Sequence, residues 1–195
     1  MCRSGKDEAS ALAALSAYAP RYAAVAKQGR VAFDAKPTFR VIERLAGSAS
    51  TDFGVPAAIA KRDTTPVAAA EGARLASLVE AAWAVYARIL AGAPAELRKG
   101  PRGGGRDRDK IADHVLAAEG AYVRKLGLRL EPPARNDRRG LAEFRAAIVT
   151  TLQRPSTGKP LVEKGWPQRY AARRIAWHAL DHAWEIQDRS DAGKA

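Results

Sequence analysis

Apolar positions recur along most of this chain at three- and four-residue spacing, the period of a helix with one face turned to a core. The clearest run covers 66–91, where Leu75, Leu78, Val79, Ala82, Trp83, Tyr86, Ile89 and Leu90 form a broad stripe. Pro66 suits the first turn, and Gly92 and Pro94 mark the end. A second helix is predicted from a cap at Asp107 or Asp109 to Leu126, stopped by Gly127, with Ile111, His114, Val115, Ala118 and Tyr122 facing inward. A third runs over 138–152 with Leu141, Phe144, Ile148 and Leu152 on one side. The last begins at Trp166 or Pro167, continues to about Asp188, and leaves a frayed tail.

The first 65 residues read differently. A helix over 4–26, capped by Ser4 or Asp7, carries Leu12, Leu15, Tyr18 and Tyr22, and Pro20 is expected to kink or split it. Residues 38–45 alternate apolar and polar at Phe39, Val41 and Leu45, the period of a strand, although one strand is not stable alone. A loop rich in small residues fills 47–65. The expected fold is therefore mainly α: an antiparallel four-helix bundle over 66–190, a small N-terminal α/β appendage over 1–65, and a tail at 191–195.

Length and composition fit that picture. The chain has 195 residues, 47% of them hydrophobic and 28% charged, ordinary values for one globular domain. No apolar run of membrane-spanning length is expected, and no apolar segment near Met1 resembles a secretory signal. Cys2 is the single cysteine, so no internal disulfide forms, and a cytoplasmic location is expected. The net charge of +12 permits attraction to nucleic acid. The basic residues are mixed with acids throughout, however, and the densest run, over 98–102, has no interleaved aromatics. Nucleic-acid binding is the lesser reading. The glycine-rich loop over 100–105 is not a phosphate cradle, because no strand precedes it and no GKS/T follows.

The candidate chemistry lies in the histidines, of which there are three. His178 and His182 are four residues apart on the last helix, close enough in angle for both rings to reach one metal ion. His114 sits on the inward face of another helix. Glu185 and Arg189 continue the stripe of His178 and His182. Three neutral imidazoles leave a coordination position open for water or substrate, the pattern of catalytic sites, and suit zinc, nickel or iron. The competing reading is a set of core histidines, and pattern alone leaves both open.

Two segments carry a resemblance. Asp113-His114-Val115-Leu116-Ala117-Ala118-Glu119 and His178-Ala179-Leu180-Asp181-His182 resemble, in order and separation, the histidine motifs of the DinB-like superfamily, the metal-binding YfiT-like four-helix bundles. The resemblance covers about 66–189. It implies a bundle with a divalent metal on His114, His178 and His182, and Glu119 and Glu185 become candidates for orienting ligands. It also implies a metal-dependent enzyme, either a transferase or isomerase using a low-molecular-weight thiol or a hydrolase, acting on a small-molecule substrate, with homodimers common. The alternative is a non-catalytic metal-binding or interaction bundle. Residues 2–12 resemble the strand-to-helix junction of HicB-like α+β modules.

Overall fold

The computed structural model describes residues 1–100 and 104–190, so part of the glycine-rich loop and the tail expected at 191–195 lie outside the described residues. Among the described residues six helices form: α1 (Glu8–Gln28), α2 (Ala49–Asp52), α3 (Ala69–Gly92), α4 (Arg108–Lys125), α5 (Arg138–Gln153) and α6 (Gln168–Ser190). A 3-10 turn occupies Lys61–Thr64.

Local chemistry accounts for the boundaries. The Asp7 carboxylate accepts from Ser10 N at 2.8 Å, and the Asp137 carboxylate from Gly140 N at 2.8 Å, so α1 and α5 start on true side-chain caps. Asp107 stands at the N-cap of α4, but its carboxylate accepts from Leu97 N and Lys99 instead. Gly127 follows α4 at φ +81°, a conformation that costs glycine little. Pro66 lies ahead of the N-cap, Ala68, rather than in the first turn. Pro20 sits inside α1 and does not divide it.

The larger of two core clusters among the described residues is centred on α3 and α6. Trp83 and Val79 of α3 pack with Ile111 and Val115 of α4, Ile148 and Leu152 of α5, and Ile175 and Ile186 of α6. Ile111, Ile148, Ile175 and Ile186 are at most 1% exposed, each contributing roughly 1.5–3 kcal/mol by leaving water. One window of α3 has the length and mean hydropathy, 1.3, of a spanning helix, more apolar than the sequence reading allowed. Its Leu75, Val79, Trp83 and Tyr86 are nonetheless packed against neighbouring helices.

The long helices run in both directions, and the pair that starts at the same end is α3 and α6. Glu71 in the first turn of α3 pairs with Arg169 in the first turn of α6, so these two helices start at the same end. Arg189 in the last turn of α6 donates to the carbonyls of Arg98 and Arg106 at 2.7 Å, so α4 starts where α6 ends. The link from Leu126 to Asp137 makes this order feasible. It returns along α4 through Arg124–Glu131, Gly120 against Pro132, and Arg135 with Asp113 and Asp109. Its extended reach of roughly 40 Å exceeds the length of α4, about 27 Å. Gly120 is required by the close approach, since a Cβ there would stand 2.8 Å from Pro132 Cδ.

The expected α/β appendage is not found. Residues 38–45 are irregular, and Phe39, Val41, Ile42 and Leu45 are 38–66% exposed. Among the described residues no strand lies beside this segment, so its backbone has no ladder to join. The one β-type pairing among them is an isolated bridge, Val67 with Ser156. The strand-to-helix junction suggested for residues 2–12 is likewise a capped helix start with no strand before it. Nor does α1 stand apart. Val25 packs with Ala81, Ala82 and Val85 of α3 and Leu180 and Trp184 of α6, and the Tyr18 ring lies 5.3 Å from that of Trp184.

Candidate metal centre

His178 and His182 project from the α6 face that looks toward α4, and His114 projects from the facing side of α4. The three ring centroids are 4.6, 5.0 and 5.1 Å apart. One nitrogen from each ring lies within 4.8 Å of the others. His178 Nε2 and His114 Nε2 are only 3.3 Å apart. That separation bears directly on metal binding. Two nitrogens on a tetrahedral zinc at 2.0–2.1 Å are themselves about 3.3–3.4 Å apart. One edge of such a site is therefore already at its required length.

The electrostatics favour the neutral form, the one that ligates, at His178 and His114. Burial, reinforced by His182 and then His114, holds the His178 imidazolium pKa down at about 3. Burial and His182 lower that of His114 as well. His182 has the partner typical of a metal-bound histidine: its Nδ1 lies 2.7 Å from Glu185 Oε2, leaving Nε2 free for a ligand. Arg189 donates to the other oxygen, Oε1, at 2.8 Å. The hydrogen bonds from His182 and Arg189 lower the Glu185 pKa, so its carboxylate stays ionised. His178 lacks such a partner; its Nδ1 is buried without one.

Of the two acids singled out from sequence, Glu185 joins the histidines and Glu119 does not. Glu119 is five residues from His114, about 140° round the helix, and turns toward α3 and α5. It is 2% exposed and accepts from Trp83 Nε1 at 2.8 Å and from Arg145 Nη2 at 3.0 Å. Burial pushes its pKa up, opposed by the Arg145 guanidinium and the Trp83 indole. Its carboxylate is committed to that network and does not orient the histidines.

Arg174 was not anticipated. One turn before His178, it lies 5.2–5.7 Å from the ring centres of Trp177, Tyr122 and Trp166. Its Nε and Nη1 are buried without acceptors. The four-residue spacing Arg174-His178-His182 was visible in the sequence, but the aromatic enclosure depends on Tyr122 of α4 and the loop residue Trp166. No family model, curated protein or solved structure matches this chain.

Proposed function

We propose that this protein binds one divalent cation on His114, His178 and His182 and acts as a metal-dependent enzyme of the DinB-like kind, a hydrolase or a thiol-dependent transferase. The observation that carries the reading is the convergence of three imidazoles from two helices, with the His114–His178 nitrogen pair at 3.3 Å. The donor set fits. Imidazole suits zinc, nickel or iron, and three protein ligands leave a coordination position for a small molecule.

The ion would supply Lewis acidity, activating either water or the thiol of a small cofactor. This chain's residues have definable parts around it. Glu185 fixes the tautomer of His182, and Arg189 fixes Glu185. Tyr122 and Trp177 cover His178 from the sides, their ring centres 5.7 and 5.8 Å from its own, and so limit the access of water. The resemblance of the two histidine motifs supports the enzyme reading, while the metal reading rests on the geometry.

The test is elemental mass spectrometry on protein purified without a histidine tag, beside His114→Ala and His182→Ala. The expected result is near one divalent ion per chain, lost in both variants. Absence of bound metal, with none taken up on titration, refutes the centre. A bound metal with no thiol-dependent transfer and no hydrolysis across a substrate panel refutes the enzyme reading alone.

A further inference from the structure

A cavity of about 600 Å³ lies on the other side of α6, between α3, Tyr22 of α1, the first three residues and the segment 42–63 that includes α2. It does not belong to the histidine centre. Ala176 and Leu180 line it, and each is two residues, about 200° of helix, from His178 and His182 respectively. Its volume falls in the range of roughly 300–1,000 Å³ usual for cavities that enclose small organic ligands.

The walls are mostly apolar, with Tyr22, Leu78, Val79, Ala176, Trp177 and Leu180 among them. The charge on the lining is one-sided: Arg3, Arg62, Arg74, Arg169 and Arg173 against the single carboxylate of Asp63. Neighbouring acids neutralise only part of this. Arg74 and Arg169 share Glu71, Arg173 pairs with Asp63, and Arg3 pairs with Asp181. Two guanidinium charges remain in excess. Three lining side chains also hold buried N–H groups with no acceptor in the protein: Arg3 Nε, Arg169 Nε and Trp177 Nε1. Apolar walls, surplus positive charge and unused donors together describe a receptor for a molecule that is apolar at one end and anionic at the other.

The segment closing the cavity supports this. Residues 31–48 have no regular secondary structure, and a long irregular stretch in a compact chain is commonly a lid or binding loop. It leads into a stretch pinned to α6: Tyr170 OH donates to the Ala57 carbonyl at 2.9 Å, and Arg173 to that of Ala58 at 3.2 Å. Ile42 and Leu45 line the open side of the cavity, on a segment held by the Arg44–Glu8 ion pair and by the Glu43 carboxylate, which accepts from Lys61 N at 2.9 Å.

We infer that this cavity binds an amphipathic monocarboxylate, an aliphatic body held by α3 and α6 with its carboxylate among the arginines. The site is independent of any metal at the histidines.

Calorimetric titration with decanoate and, separately, 1-decanol tests the inference on the full chain, before and after chelator treatment. Decanoate is expected to bind one to one, and 1-decanol at least about tenfold more weakly, since a charge-assisted hydrogen bond is lost. Leu78→Trp, which narrows the cavity beside α3, is expected to weaken decanoate binding severalfold. Arg62→Glu, at an exposed position with no structural ion pair, is expected to weaken it severalfold while leaving the thermal melt unchanged. Chelation and His182→Ala are expected to leave decanoate binding as it was. The inference is overturned if decanoate does not saturate, if decanol binds equally well, or if a folded Leu78→Trp or Arg62→Glu protein binds like the parent. Loss of decanoate binding on chelation would also overturn it, by placing the ligand at the histidines.

Discussion

Removing the carboxylate behind His182 gives a graded measure of the metal centre. Glu185 sits 2.7 Å from His182 Nδ1 and is itself held by Arg189 at 2.8 Å. With Glu185→Gln, the amide oxygen can still accept from Nδ1–H, but the negative charge that raises imidazole basicity is gone. With Glu185→Ala, both are gone, and the ring is free to turn or to switch tautomer. Loss of such a partner typically weakens metal binding 10–100-fold, about 1.4–2.7 kcal/mol. Gln is expected near the lower end and Ala near the upper. The fold should survive, because Arg189 retains the carbonyls of Arg98 and Arg106. Zinc affinity is measured by competition with a chromophoric chelator, and metal-free urea melts report stability separately. Glu119→Gln is the matched control, since its carboxylate bonds to Trp83 and Arg145, and its affinity should stay within about twofold of the parent. The reasoning fails if Glu185→Ala binds zinc as tightly as the parent, or if Glu119→Gln weakens binding as much as Glu185→Gln.

Arg145→Met leaves Glu119, 2% exposed, with the Trp83 indole as its one remaining donor, and is expected to destabilise the fold by about 3 kcal/mol in urea unfolding. Adding Glu119→Gln should recover most of that loss; equal instability of the single and double variants would show that the charge is not the cause. Arg74 and Arg169 hold the Glu71 carboxyl down from 4.5 to about 2, so the folded state resists protonation that the unfolded chain accepts. The stabilisation is thus complete above about pH 4.5 and fades as pH falls toward 2. Screening by water at this quarter-exposed side chain reduces the full linkage value to about 1–2 kcal/mol. Glu71→Gln should show that deficit at pH 7 and little of it at pH 2.5, and a gap of equal size at both would count against the ion pair.

The helices and the histidine cluster were readable because both depend on angular position along a single segment. Ile111, His114 and Val115 share one face of α4 by spacing alone, and His178 and His182 share one face of α6, so two such faces need only meet. Glu119 failed for the same reason the histidines succeeded: five residues from His114, it was already on another face, and motif position had outweighed geometry. Helix direction was not readable. It depends on whether the Leu126–Asp137 link turns back at once or climbs α4, and that is decided by a contact between Gly120 and Pro132 that spacing does not encode. The strand expected at 38–45 shows the limit most clearly. Alternation at Phe39, Val41 and Leu45 gives a segment two faces, but a strand also needs a neighbour to take its backbone hydrogen bonds, and none is present among the described residues. The apolar side of that segment is used in another way, with Ile42 and Leu45 lying over a cavity whose arginines come from Arg3 at one end of the chain and Arg169 and Arg173 at the other. A three-residue metal site can be assembled from two helices and found by period. A pocket assembled from the chain's first residues, an irregular segment and two distant helices has no period, and only the folded molecule brings its charges together.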